Sequence, residues 1–272
     1  MDPRRMCSNC RAFITIDDKE CPYCGVKVGP RAIDRQEAAA AMAGLVSADR
    51  FTTTILLIVN TGLFVATLLY SSQGGGLTLD PGGEALVAFG GKYNPYIVQG
   101  QWWRLITAGF LHGGIFHILM NSWVLWDLGP NVEHAFGTNR FLVIYFVANI
   151  VGFAASMYWT QALSIGASAA ISGLIGAMIA LGTRERHTLA GAMRGQFVRW
   201  MVTILAIGFL IPGIDNAAHL GGVAGGFAVA YVAGIPTHTR SDEGLWRTLA
   251  WISMAITAYA FFQMYLWVRG PG

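Results

Sequence analysis

"SIGASAAISGLIGAM", residues 164–178, is long enough for a helix and carries almost no bulk. An apolar segment that gives up its large side chains yet keeps Ser164, Ser168 and Ser172 has two readings. Small residues let neighbouring helices approach closely, so dense packing is one. A serine placed where a second helix brings up a base is the other. The rest of the chain decides between them.

Soluble domains are about 25% charged and 45–50% apolar. This chain is 12% charged and 54% apolar, with 34 glycines. Both deviations point to a polytopic membrane protein. Seven apolar stretches approach the roughly 17–25 helical residues needed to cross the hydrocarbon, at about 51–70, 114–130, 141–160, 167–182, 197–212, 216–235 and 247–268. The fourth and fifth are short. With the N-terminus placed in the cytoplasm, only Lys92, Arg104 and Arg269 of the 18 basic residues fall outside. The positive-inside rule therefore favours seven spans, N-terminus inward, in the cell (plasma or inner) membrane. The net charge of +3 is read as an orientation signal, and no nucleic-acid face is expected. About 50 charged, soluble residues precede the first span, which argues against a signal peptide.

"CSNC" and "CPYC" place Cys7, Cys10, Cys21 and Cys24 as two C-x2-C pairs, and the chain has no other cysteine. Each pair forms a turn that presents two thiolates to one side, and two such turns close a tetrahedral four-sulfur site for zinc. About thirty residues cannot bury a sufficient core, so metal binding would supply the folding energy. Two redox pairs or two disulfides are the alternatives. A cytoplasmic location argues against disulfides, and no strand–helix frame of a redox domain surrounds the pairs. Residues 1–30 are thus expected to be a zinc-ribbon-like module that docks a cytoplasmic protein partner or stabilises the chain. Residues 31–50, rich in alanine and charge, read as a linker, and 51–272 as the membrane domain.

Polar side chains inside a span are costly and face the protein interior or a water-filled cavity. The second span offers His112, His117 and Asn121, the last two one turn apart on a single face. The fourth offers Ser168. The sixth offers His219, followed by Gly222 and Gly226, a small-xxx-small pair suited to the small face of the fourth. In the seven-span topology these three helices all run from outside to inside. His117, Asn121, Ser168 and His219 then share one level, just below the outer surface. Independent structural residues have no reason to line up in this way. Serine is a weak nucleophile until an imidazole takes its proton, which His219 can do if the two helices touch. Asn121, His117 and the Ser168 backbone N–H, at a helix start, could receive the oxyanion. Asp215 reads mainly as the cap of the sixth helix, leaving a dyad. Taken singly, Ser168 is a packing residue, His219 a proton relay and Asn121 interhelical glue; it is their common depth that points to hydrolysis. A solute or proton carrier would show duplicated repeats, and no convincing pair is found.

"WWRLITAGFLHGGIFHILMN", "GASAAISGLIGA" and "DNAAHLGGVAGG", in that order on the second, fourth and sixth spans, resemble the rhomboid intramembrane serine proteases. The similarity runs over about residues 51–268. It implies an all-α polytopic fold, a rhomboid-like six-helix core plus a seventh transmembrane helix, beside the small zinc ribbon. It implies Ser168 as nucleophile, His219 as general base, and Asn121 and His117 as oxyanion donors. No cofactor is implied for catalysis; zinc is structural only. Trp103-Arg104 matches the signature of a first outer loop lying partly in the membrane, here about 71–113 with a glycine run at 74–76. Glu133, in "GPNVEHAFG", reads as structural. The implied activity is endopeptidase cleavage of transmembrane segments of single-span or polytopic membrane proteins, within the lipid bilayer near its outer leaflet. Two departures stand out. Ala169 follows the serine where the family usually has glycine, and Ser172 stands where an aromatic usually supports the histidine ring. They keep open a pseudoprotease that binds client helices without cutting them. Tyr158 or Trp159 are candidates for a replacement platform.

Overall fold

The computed structural model describes residues 4–7, 9–10, 12–15, 18–28, 50–72, 79–186, 188–235 and 242–270. The expected linker, except for Arg50, and the glycine run 74–76 lie outside the described residues. By packing, the chain separates into two units, 1–51 and 52–272.

In the smaller unit, strands β1 (Arg4–Met6) and β2 (Phe13–Thr15) pair antiparallel, with Met6 opposite Phe13. Ile14 is buried against Cys7 and Cys21, with Val28 and Cys24 packed against them, so among the described residues the core of this unit is aliphatic side chains and sulfurs. Each cysteine pair ends in a turn closed by backbone bonds, Cys7 N–H to Ala12 O and Cys21 N–H to Val26 O, both 2.9 Å. Gly25 follows the second pair at φ +69°, a conformation that costs a residue without a Cβ nothing.

The larger unit is helical: α1 (Phe51–Ser72), α2 (Gly82–Ala88), α3 (Asn94–Val98), α4 (Arg104–Thr107), α5 (Ile115–Phe136), α6 (Thr138–Trp159), α7 (Ser168–Arg184), α8 (Leu189–Leu210), α9 (Asn216–Ala233) and α10 (Glu243–Arg269). The seven long helices fall on the seven expected stretches. α1, α6 and α10 are each long and apolar enough to cross a membrane. The 90° bent pair Arg104–Phe110 and Ile115–Phe136 can add a fourth span, and α7 is a shorter apolar helix. α8 starts at Leu189, well before the expected 197, because its polar first turns stay helical. Apolar pattern marks where a helix meets hydrocarbon, not where its hydrogen bonding begins.

α7 is the hub. Alanine, glycine and serine allow burial almost all round it, and α9 packs along it and along α6. A Cβ on Gly222 would fall 2.9 Å from the Ala169 carbonyl carbon, and one on Gly176 3.1 Å from the Phe227 nitrogen. Only glycine permits that approach. α8 buries little beyond Phe197 and Met201.

Over its described residues 79–113, the segment between α1 and α5, expected as the first outer loop, is a folded layer of short helices. Its two basic residues, Lys92 and Arg104, are fully buried, whereas Asp80 and Glu84 are exposed. Arg104 is fully buried, with Nε donating to Gln101 Oε1 (2.7 Å) and Nη1 to Val87 O (2.7 Å) and Gly91 O (3.2 Å). Its guanidinium also lies 4.8 Å from the ring centres of Tyr96 and Trp103. Carbonyls and aromatic faces around a buried cation offset part of its desolvation, although Arg104 Nη2 has no hydrogen-bond partner among the described residues. α10 closes over this layer through ring contacts of Trp267 with Tyr96 (5.2 Å) and Phe261 with Phe110 (5.0 Å). At its other end, Asp242 and Glu243 pair with buried Arg140 of α6.

Candidate active site

Helix starts bring the polar residues together. Ser168 is the first residue of α7, His219 the fourth of α9, and His117 and Asn121 the third and seventh of α5. Ser168 Oγ and His219 Nε2 lie 3.0 Å apart. With the hydroxyl donating, the other ring nitrogen, Nδ1, carries the imidazole proton. That Nδ1 is buried and has no partner among the described residues. Asp215 does not reach it. Its carboxylate caps α9 by accepting from Ala218 N–H (3.0 Å) and from the Ser156 hydroxyl. A carboxylate at an N-cap satisfies orphan donors and complements the helix dipole. The arrangement is a pair, Ser–His, with the acid occupied in holding the helix that carries the imidazole.

Across from this pair lies a concentration of donors. The Asn121 side-chain N–H group is buried with no partner among the described residues, which is costly unless a ligand takes it up. His117 Nδ1 accepts from Gly113 N–H (3.4 Å), leaving Nε2 as the protonated, donating nitrogen. Both side chains face Gly166: a Cβ there would meet His117 Nε2 at 2.6 Å and Asn121 Nδ2 at 3.6 Å. Gly166 has φ +119° and lies two residues before Ser168, so the loop turns tightly beneath these donors. Its own N–H is taken by Ala108 O (2.9 Å).

His112 is buried beside His117, with ring centres 5.0 Å apart. Tyr158 and Trp159 are 87% and 83% exposed, so neither gives the His219 ring a platform. Ser172 is buried inside the α7 packing. Sequence reasoning passed over Asn149 and Ser156, polar residues of the third span. Asn149 donates to Ile106 O (3.0 Å) and Leu105 O (3.2 Å), tying the outer-loop layer to α6. Their signal was present, since any polar residue within a span calls for a partner, but neither belongs to a recognisable motif.

In the smaller unit the four sulfurs lie within 4.8 Å of one another, with Cys7–Cys24 at 3.7 Å and Cys10–Cys21 at 3.6 Å. Zinc–sulfur bonds of about 2.3 Å in a tetrahedron put sulfurs about 3.8 Å apart, so the donor set fits such an ion and is too open for disulfides. The Val26 N–H holds the Cys24 thiol down to about 6. The Ala12 N–H also favours the Cys10 thiolate, but burial and the neighbouring thiols outweigh it and push Cys10 up to about 12.

Comparison with known proteins identifies the family. Residues 99–235 match the family model described as Rhomboid domain. The chain is 38% identical over 173 residues to Rhomboid protease GluP of Bacillus subtilis (strain 168), covering 64% of this chain and 34% of that protein. It is 35% identical to Putative rhomboid protease YdcA of the same organism, over 52% of this chain and 71% of that one. With Rhomboid-like protease 1 of Toxoplasma gondii it shares 30%, over 73% and 67% respectively. The chain thus spans about a third of the length of GluP. Three span motifs in order, a helical polytopic fold and a family match centred on them make one conclusion: the chain belongs to the rhomboid family of intramembrane serine proteases.

Proposed function

We propose that this chain is an active endopeptidase that cuts transmembrane segments of membrane proteins near the outer leaflet, with Ser168 as nucleophile and His219 as base. The 3.0 Å hydrogen bond between Ser168 Oγ and His219 Nε2 is the observation that carries the reading. A client helix enters from the lipid and unwinds, and Oγ attacks a backbone carbonyl while Nε2 takes its proton. The developing oxyanion accepts hydrogen bonds from Asn121 and His117 and from the Ser168 backbone N–H, an orphan donor of the α7 first turn. The imidazolium returns its proton to the leaving amine, freeing one product and leaving an acyl-serine. Water, deprotonated by His219, attacks that ester and releases the second product.

The reading includes a cytoplasmic N-terminus, a cell-membrane location, and residues 1–30 as a zinc module joined by 31–50 to a membrane domain over 51–272. Cys7, Cys10, Cys21 and Cys24 hold structural zinc, and a cytoplasmic protein is the module's partner. No cofactor serves the chemistry.

A non-cleaving binder of client helices is the second reading, favoured by Ala169, Ser172 and the lack of support from Tyr158 or Trp159. A serine-directed fluorophosphonate separates the two, because covalent labelling requires an activated hydroxyl. Purified protein should label and should cleave a single-span substrate, whereas Ser168→Ala and His219→Ala should do neither. Equal cleavage by wild type and Ser168→Ala would remove Ser168 from the mechanism.

A further inference from the structure

Lys92 is the one lysine buried completely among the described residues, and the chemistry above does not use it. It lies between α2 and α3 in the outer-loop layer. Its ammonium donates to two backbone carbonyls of the segment that leads into α7, Thr160 O at 2.6 Å and Ala162 O at 3.2 Å. Its backbone forms a two-way bridge with the same segment, Lys92 N–H to Ser164 O (3.0 Å) and Ser164 N–H to Lys92 O (3.1 Å). Asn94, two residues on, adds bonds to Met157 O (2.8 Å), Thr160 O (3.3 Å) and Gln161 Oε1 (3.1 Å). The charge is also attracted by Asp215, the cap of the helix that bears His219.

A buried ammonium carries a desolvation penalty. A methionine of similar length would fill the space without it. What the cation adds is direction: it draws two carbonyls inward, so the 160–164 turn has one set of backbone orientations. Ser168 follows four residues after the bridge.

We propose that Lys92 is a positioning residue for the nucleophile, gripping the approach to α7 so that Ser168 meets His219 in reactive register. The inference rests on the catalytic roles proposed above. A misplacement of about 1 Å at a reacting group can cost on the order of 100-fold in rate. Lys92→Met in the full-length protein should therefore lower kcat by about 10- to 100-fold, with KM within about threefold. Fluorophosphonate labelling, which needs no docked helix, should slow in proportion. Lys92→Arg keeps the donors and should recover most of the rate.

Thermal melting read alongside separates positioning from folding. A folded Lys92→Met protein that cleaves and labels at the wild-type rate overturns the inference. So does a folded one whose KM alone rises, or an Arg variant as slow as the Met variant. If Lys92→Met does not fold, Asn94→Leu, which strips the neighbouring grips and keeps the lysine, carries the test. A folded Asn94→Leu protein with reduced kcat supports the role, and unchanged kcat or failure to fold overturns it. Should wild type and Ser168→Ala be equally inert, the catalytic reading itself fails and the positioning role falls with it. Activity at Ser168 with indifference to Lys92 removes only the latter.

Discussion

A buried donor without a partner is a liability for folding and an asset for catalysis, and Asn121 is one. Its side-chain N–H group has no partner among the described residues, yet it lies above the turn that delivers Ser168. Removing one donor from an oxyanion site typically lowers kcat by about 100- to 1,000-fold, or roughly 3–4 kcal/mol of barrier. Asn121→Ala should show that loss with little change in KM. Its melting temperature should hold or rise, because the change deletes an unsatisfied group. Steady-state cleavage and a thermal melt on the same sample check both halves. Gly166→Ala should act on the same site by a different route. The new Cβ would meet the His117 ring at 2.6 Å and face a φ of +119° that L-residues rarely adopt. Activity and stability should therefore fall together. Asn121 and His117 were legible in the sequence because each is polar where apolar side chains are the rule. Lys92 was counted there only as a charge outside the membrane, and Arg104 only as that and as half of the Trp103-Arg104 signature. Their roles depend on the folding of the outer loop, which no periodicity encodes.

Between elements, the decisive contact is α7 against α9. Glycines on both sides let backbone meet backbone, and that approach brings a hydroxyl on one helix to an imidazole on the other. Gly222→Val tests the coupling. Overpacking a tight interface costs about 1–3 kcal/mol, occasionally more, and here the added carbons would press on the Ala169 backbone. The expected outcome is a lower melting temperature together with loss of fluorophosphonate labelling, since the helices must separate at the level of the site. Retained labelling at wild-type rates would show that the pair does not depend on this contact. The small-xxx-small spacing made this interface readable before any coordinates. The start of α8 was not readable in the same way. Its first turns mix polar and apolar residues, so a window tuned to hydrocarbon begins eight residues late. The role of α10 was equally hidden. Its aromatic contacts with the outer-loop layer are side-chain pairings between segments more than 150 residues apart, which local pattern cannot report.

For the whole molecule, the question is what the four-cysteine unit contributes to the activity proposed for the helical one. The two units have separate cores: one is built on Ile14 and cysteine sulfurs, the other on the packing around α7. Separate cores predict separate stabilities. In the proposed topology the module also lies on the cytoplasmic face, across the bilayer from Ser168. Chelation should then abolish the fold of residues 1–30, because zinc binding free energy in such modules is folding free energy. Acid should do the same by competing for the thiolates. Neither treatment should reach the α7–α9 contact. Deleting residues 1–30 should accordingly leave turnover of a single-span substrate in detergent within about twofold, a rate difference under roughly 0.5 kcal/mol of barrier. The same deletion should reduce recovery of cytoplasmic proteins cross-linked to the chain in intact cells. Detergent assays of full-length, chelated and truncated protein, read against cross-linking yield, divide the two roles. A collapse of detergent turnover on truncation or chelation would mean that the module supports the catalytic fold itself, and the docking role would have to be given up.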